Sequence, residues 1–583
     1  MGGPLLYTER SGTDNERRAM KKTGAQILCE CLIREGVDVI FGISGGAVIP
    51  MYDAFSQYPQ IRRVLVRHEQ AAAHAAAGYA RLRQKAGVCV GTSGPGATNL
   101  VTGITDAYLD STPLVVITGQ VACSFIGKDA FQETDITGIT LPVTKHSYLV
   151  HDVAELATVI KEAFHIAQTG RPGPVLIDVP KDIQTSVTEF SYPETVHLPG
   201  YKPATEADPA HVAHAAELLN RAERPVVIAG RGVIISRAYE ELSTLVETMQ
   251  APVVHTMLGL GSFPPQHSLN LGMLGMHGSV YANRAVQDAD LVLAIGTRFG
   301  DRSTMKASEF APKAIVVHID IDPAEIGKNV VPYASLVGEV KSVLGQLNPL
   351  LKKSDRSAWL AQVESWRCSN PLVEHTVGTK LSSRRVIRQL YASIDERSIV
   401  VTGVGQHQMF AAQEYTSPRL NGFLSSGGLG TMGFELPAAL GAQIACPDEA
   451  VWVVAGEGGF QMTMQELSTI VQEGLPIKIA IINNGYLGMV RQWQDLFCNH
   501  NYVDVAIHTP DFVKLADAYG IPAVRVENEC DVPAAFDRAN AHPGPFLIEF
   551  TVEPEENVYP MVAPGESLDC MLEAPQPARA GRT

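Results

Sequence analysis

The chain has 583 residues and a mass of 62.7 kDa, room for roughly four domains of about 150 residues, with three or five within the same prior. Apolar residues make up 45% and charged residues 19%, a balance that excludes disordered, collagen-like and coiled-coil chains. Its 46 basic and 62 acidic side chains leave a net charge of −16, the wrong sign for a non-specific nucleic-acid surface.

No run approaches the roughly 18 consecutive apolar residues of a membrane span. The first 19 residues are polar and lack the apolar core of a secretory signal, so they read as a disordered arm, 1–19. The nine cysteines are scattered and form no CxxC pair, which points to a reducing, cytoplasmic setting.

Thr23-Gly24-Ala25-Gln26 is a T-x-x-Q capping box, and the helix it opens stops at Gly36. Short apolar runs at Val39 to Phe41, Val64 to Val66, Gly87 to Gly91, Pro113 to Thr118 and Pro174 to Val179 alternate with helical stretches, among them the Ala-rich Glu69 to Arg83. Continuous β-branched runs of this length predict parallel strands covered on both faces. The pattern returns at Pro225 to Ala229, Pro252 to His255, Leu291 to Ile295 and Ile315 to Asp320, and again at Ile399 to Val404, Val451 to Ala455, Ile477 to Asn483 and Phe546 to Val552. The expected fold class is α/β, with three doubly wound domains, each a mostly parallel sheet flanked by helices. Their expected bounds are 20–190, 208–355 and 381–563, with linkers at 191–207 and 356–380 and a tail at 564–583.

Two constellations carry chemistry. Gly456-Glu457-Gly458 follows one apolar strand, and Asn483-Asn484 ends another. Ligands bind at such strand ends in open parallel sheets. A carboxylate and an amide oxygen, with space for phosphates and water, suit octahedral Mg²⁺ in a diphosphate site. Taken singly, a helix-start acid and an Asn-Gly turn explain them as well. Glu69 stands at a strand-to-helix junction. It reads either as a first-turn acid favoured by the helix dipole or as a buried carboxylate awaiting a partner.

Several longer stretches occur in a fixed order: Gly91-Thr-Ser-Gly-Pro-Gly-Ala-Thr-Asn-Leu, Asp129-Ala-Phe-Gln-Glu, Gly170-Arg-Pro-Gly-Pro-Val, Gly272-Met-Leu-Gly-Met-His-Gly, Gly403-Val-Gly-Gln-His-Gln-Met, Gly485-Tyr-Leu-Gly-Met-Val-Arg-Gln-Trp-Gln and Val558-Tyr-Pro-Met-Val. From Met20 to Leu572 the chain resembles the thiamine-diphosphate-dependent decarboxylase and carboligase superfamily, and within it the acetohydroxyacid synthase catalytic subunits.

That resemblance implies decarboxylative joining of two 2-oxo acids, the first shared step of branched-chain amino-acid synthesis. Pyruvate would give 2-acetolactate, and pyruvate with 2-oxobutyrate would give 2-aceto-2-hydroxybutyrate. It implies an N-terminal domain for the cofactor's pyrimidine, a C-terminal domain for its diphosphate, and a central domain for a structural FAD. The active site would lie between subunits of a homodimer or homotetramer, with a regulatory small subunit as a further partner. The remaining partners are small-molecule 2-oxo acids, with neither nucleic acid nor membrane.

Residue by residue, the resemblance gives Glu69 the pyrimidine N1′, where it favours the imino tautomer, and makes the thiamine ring the electron sink for CO₂ loss. Gln132 and Lys181 join Glu69 as candidate catalytic positions. With Phe131, Met489 and Trp493 they line the substrate entrance. Trp493 would favour 2-oxobutyrate by packing on its extra methylene, a discrimination of about 1–3 kcal/mol. Met432 matches the residue that bends the cofactor. Gly46, Val404, Gln406, Gly458, Gly459 and Met462 match its pocket. Glu457, Asn484 and the Tyr486 carbonyl would hold Mg²⁺. For FAD the matching positions are Arg171, Gly230, Gly232, Thr256, Met257, Leu274, Met276, His277, Gly278, Gly296, Arg298, Asp301, Arg302, Asp320 and Ile321.

The chain departs from the family pattern at several points. Glu457 replaces an Asp, which carries its carboxylate roughly 1 Å further, where Mg²⁺ accepts distances near 2.0–2.1 Å. Glu435 adds an acid in Gly433-Phe434-Glu435-Leu436-Pro437, and Ile43-Ser44-Gly45-Gly46-Ala47 replaces Tyr-Pro-Gly-Gly-Ala. Gly300 replaces an acid, Arg231 interrupts a triple glycine, and Ala122 stands where many relatives have Pro. Another carboligase or 2-oxo acid decarboxylase on this scaffold is the alternative reading, and a catalytically silent homologue a third.

Overall fold

The computed structural model describes residues 21–372 and 378–574. The expected arm, 1–19, lies outside the described residues, as does 575–583 of the expected tail. Three six-stranded sheets, every neighbouring pair parallel, organise the chain.

The first sheet runs Arg62–Leu65, Val39–Gly42, Gly87–Gly91, Leu114–Gln120, Pro174–Pro180, His146–Leu149. The third runs Phe423–Ser425, Ile399–Thr402, Val451–Gly456, Lys478–Asn483, Phe546–Thr551, Ala523–Val526. Both share one connectivity, so the C-terminal domain repeats the N-terminal one. The central sheet differs: Asn270–Met273, Val253–His255, Pro225–Ala229, Leu291–Ile295, Ile315–Asp320, Ala334–Val337. In chain order this is 3-2-1-4-5-6, the arrangement that binds dinucleotides in the crevice where the order reverses, here between Pro225–Ala229 and Leu291–Ile295.

The Thr23 capping box forms: Thr23 Oγ1 accepts from Gln26 N at 3.3 Å, and Gln26 Oε1 accepts from Thr23 N at 3.0 Å. Helix Glu69–Arg83 buries its alanines against helix Glu435–Ala445, so one hydrophobic core spans the N- and C-terminal domains. Gly78 and Gly441 make the approach possible. A β-carbon on Gly441 would overlap the Ala75 carbonyl, and one on Gly78 the Ala438 carbonyl.

Two stretches expected to lack structure carry it. Within 356–380, Ser357–Ser369 is a helix that buries Trp359 and Val363 on the central domain, with Trp359 Nε1 donating to Pro225 O at 3.1 Å. Its apolar positions follow helical spacing among charged neighbours that obscure them in sequence. Within 564–583, Leu568 is buried in the central domain's core and Met571–Leu572 pairs with Met561–Val562. Segment 191–207 has neither helix nor strand. No helix among the described residues is long and apolar enough to cross a membrane.

Candidate active site

The site residues fall into an N-terminal cluster and two adjoining cavities. In the cluster, Glu69 begins its helix and Oε2 accepts from Asn99 Nδ2 at 2.9 Å. No described side chain donates to Oε1, which lies beside Gly96, 3.3 Å from where a β-carbon there would sit. Gln132, at φ +60°, packs on the other end of the same turn: a β-carbon on Gly94 would lie 2.9 Å from its carbonyl. Thr92 ties the loop holding Gly46 to this turn, accepting from Ala47 N at 3.2 Å. Phe131 is 89% exposed, and Lys181 is also on the surface. Neither cavity is lined by Gly46, Glu69, Phe131, Gln132 or Lys181.

The smaller cavity, about 70 Å³, is lined by Val404, Gln406, Met432, Glu457, Gly458, Gly459, Asn484, Tyr486 and Met489. Parallel strands Val451–Gly456 and Lys478–Asn483 bring Glu457 and Asn484 together. Glu457 Oε1 and Asn484 Oδ1 both accept from Tyr486 N at 2.9 Å. Burial pushes the Glu457 carboxyl up to about 7, opposed by the backbone N–H groups around it. Two converging oxygens, one on a carboxylate that burial leaves short of positive charge, fit a hard divalent cation.

Behind this pair runs an amide chain that extends the expected residues Asn484 and Gln406 to Gln492, which was not among them. Asn484 Nδ2 donates to Gln406 Oε1 at 3.1 Å, Gln406 Nε2 to Gln492 Oε1 at 2.9 Å, and Gln492 Nε2 to Val558 O at 3.0 Å. His407 Nε2 accepts from Gly456 N at 3.1 Å, and burial lowers this imidazole to about 3, so it is neutral. Glu435 is fully buried with neither carboxylate oxygen hydrogen-bonded, and burial raises it to about 7. Gly403 and Gly459 make its space: a β-carbon on Gly459 would lie 2.9 Å from Glu435 Oε1. Met462, 55% exposed, lines neither cavity.

The larger cavity, about 1270 Å³, opens at the reversal point of the central sheet. Of the expected dinucleotide residues, Arg171, Gly232, Thr256, Met257, Leu274, Met276, His277, Gly296, Arg298, Asp301, Arg302, Asp320 and Ile321 line it. Gly230 and Gly278 stand behind the wall. A β-carbon on Gly230 would overlap the Gly296 carbonyl, and one on Gly278 would lie 2.6 Å from Leu274 C. Burial raises Asp320 to about 6 and lowers His277 to about 4. Glu325 also lines the cavity; its Oε1 accepts from Arg171 while its buried Oε2 has no partner, and His277 Nδ1 is likewise unsatisfied. Volume, strand order and unsatisfied polar atoms together fit a dinucleotide such as FAD.

The two cavities share a wall of Val404, Gly405, Met432, Met489 and Val490. On the wall of the larger cavity Arg302, from the central domain, lies over the ring of Trp493, with its guanidinium carbon 5.6 Å from the centroid.

Two similar strand-end domains flanking a dinucleotide-type domain, with an acid–amide pair below one sheet, define a diphosphate-cofactor enzyme. Family models for the thiamine pyrophosphate enzymes match in all three domains: the N-terminal TPP binding domain at 22–139, the central domain at 212–347 and the C-terminal TPP binding domain at 403–550. The chain belongs to this family. It is 50% identical over 562 residues to an acetolactate synthase large subunit of Mycobacterium tuberculosis, covering 94% of this chain and 91% of that protein. It is 46% identical over 561 residues to the acetolactate synthase large subunit of Corynebacterium glutamicum, covering 94% and 89%. The corresponding protein of Pyropia yezoensis is 45% identical over 579 residues, covering 97% and 98%.

Proposed function

We propose that this chain is a thiamine-diphosphate-dependent acetolactate synthase subunit. It joins two pyruvates into 2-acetolactate with loss of CO₂, or pyruvate and 2-oxobutyrate into 2-aceto-2-hydroxybutyrate, for branched-chain amino-acid synthesis. The observation that carries the reading is the wall shared by the Glu457–Asn484 pocket and the cavity bearing Arg302 and Trp493. It sets a cationic and aromatic pair, suited to a 2-oxo acid's carboxylate and alkyl chain, beside the pocket for the cofactor.

Thiamine diphosphate, when bound, supplies the electron sink for decarboxylation. The protein supplies position and charge. Glu69, oriented through Oε2 by Asn99, keeps Oε1 for a ring nitrogen. Glu457, Asn484 and the Tyr486 carbonyl hold Mg²⁺. Met432, Val404, Gly458 and Gly459 shape the pocket, and Gln406 orients Asn484 from behind. Phe131, Gln132 and Lys181 act from the N-terminal cluster on the substrate. FAD occupies the central cavity in a structural role, since the carboligation has no net redox change.

The separation of Glu69 from both cavities supports a site completed by a second copy of the chain, hence a homodimer at least. The relatives' description as large subunits supports a smaller regulatory partner. The enzyme is read as cytoplasmic.

The test is product identification with purified protein, thiamine diphosphate, Mg²⁺ and FAD, given pyruvate with and without 2-oxobutyrate. Acetolactate is expected, with most turnover lost in Glu69→Gln. Acetaldehyde alone, or no product, would overturn the assignment.

A further inference from the structure

Arg231 opens the turn between Gly230 and Gly232 that follows strand Pro225–Ala229, and it lines the central cavity at the sheet's reversal point. A guanidinium carries five N–H donors. Here Nη2 donates to Thr112 Oγ1 at 3.1 Å, while the buried Nε has no acceptor.

The acids facing Arg231 are committed elsewhere. Asp110 Oδ2 accepts from Arg81 Nη2 at 2.9 Å and Gly427 N at 3.0 Å, and Oδ1 accepts from Gly428 N at 2.7 Å. Asp106 accepts from Ser426 and Thr431 through Oδ1, while its Oδ2 lies 3.5 Å from Arg81 Nη2, an ion pair with no hydrogen bond of its own. Elsewhere on the cavity wall, Arg171 pairs with Asp322 and Glu325, and Arg302 with Asp301. Among the described residues, Arg231 has no carboxylate at ion-pair distance. Desolvation, with the like charge of Arg81, lowers its guanidinium to about 9 against the opposing pull of Asp110 and Asp106.

We propose that Arg231 is a phosphate ligand whose guanidinium binds the diphosphate of the dinucleotide held in the central cavity. The inference rests on the reading of that cavity as the FAD site and assigns this chain its own anion partner there. Gly232 and Gly296 line the cavity, and with Gly230 behind them their backbones pack on one another too closely for side chains. Arg231 adds a charge-assisted contact to that cradle.

Binding of FAD, ADP and riboflavin to the full-length protein, followed by calorimetry and flavin fluorescence, tests this without reference to turnover. Arg231→Met should weaken FAD and ADP by about ten-fold or more and leave riboflavin unchanged. It should also flatten the salt dependence of FAD binding, and Arg231→Lys should fall between. Thr112→Val removes the protein's own acceptor for Nη2 but keeps the guanidinium, so it should bind FAD as wild type does. Equal FAD affinity in wild type and Arg231→Met overturns the proposal. A parallel loss of riboflavin, or an equal loss in Thr112→Val, overturns it too, because the arginine would then be holding the domain junction. Failure of wild type to bind either FAD or ADP instead overturns the reading of the cavity itself, and the proposal with it.

Discussion

Glu457 and Asn484 accept the same backbone N–H: Tyr486 N lies 2.9 Å from Glu457 Oε1 and 2.9 Å from Asn484 Oδ1. The longer acid thus folds its carboxylate back to the amide oxygen instead of turning away as a helix-start residue. Removing its charge should therefore raise the Mg²⁺ concentration for half-activation. Glu457→Gln is expected to raise it by at least the roughly 10–100-fold seen even for outer-shell changes, while Glu457→Asp retains binding. Titration of Mg²⁺ at fixed thiamine diphosphate reads the difference. Equal half-activation in wild type and Glu457→Gln would remove Glu457 from the metal site.

A site assembled from two chains has a particular signature. Glu69→Gln and Glu457→Ala homodimers should each be inactive when prepared separately. Co-refolded in equal amounts, they should recover up to about a quarter of native activity, because half the dimers are mixed and each restores one of two sites. Recovery absent from well-formed mixed dimers would place both residues of each site in one chain.

Glu435 predicts a pH dependence. Its carboxyl moves from an ordinary value of 4.5 to about 7 on folding, through burial. Between those values the folded state binds more protons than the unfolded state, so stability falls as pH rises, and the loss is complete above pH 7. The contribution is on the order of 3 kcal/mol for a carboxyl this buried. Glu435→Gln should therefore unfold at higher temperature than wild type at pH 8, with little difference at pH 4.5. Thermal unfolding of metal-free protein at the two pH values checks it. A gap that does not grow with pH would mean that Glu435 ionises freely in the folded state.

The acceptor preference should depend on Trp493, which is partly buried and covered by Arg302. Trp493→Leu loses the surface available to the extra methylene of 2-oxobutyrate. In competition with pyruvate the yield of 2-aceto-2-hydroxybutyrate relative to 2-acetolactate should fall by roughly 10-fold or more, within about 1–3 kcal/mol for one methylene. An unchanged product ratio would assign the preference to another side chain.

Strands at sheet centres were legible because both their faces are buried, which requires uninterrupted apolar runs such as Leu291–Ile295 and Val451–Gly456. The edge strands His146–Leu149, Asn270–Met273, Ala334–Val337, Phe423–Ser425 and Ala523–Val526 have no counterpart among the expected strands. Most are half-exposed and all are short, so neither a continuous run nor a clean alternation marks them. Glu457 and Asn484 could be paired in advance, since each ends an apolar strand and parallel strand ends converge.

What surrounds that pair depended on the tertiary fold. Gln406 reaches Gln492 across 86 residues of chain, and Gln492 reaches Val558 across another 66. Thr112 meets Arg231 across 119. Glu435 and Arg231 stood out in sequence only as departures, one an unpaired acid under the pocket and the other an underpaired cation on the cavity wall. Local pattern governs which backbone segments become helix or strand, because their hydrogen bonds and burial repeat at fixed spacing. The partner of a buried polar atom obeys no such period. It follows from which segments the closed sheets bring within about 3 Å, and that distance exists only once the chain has packed.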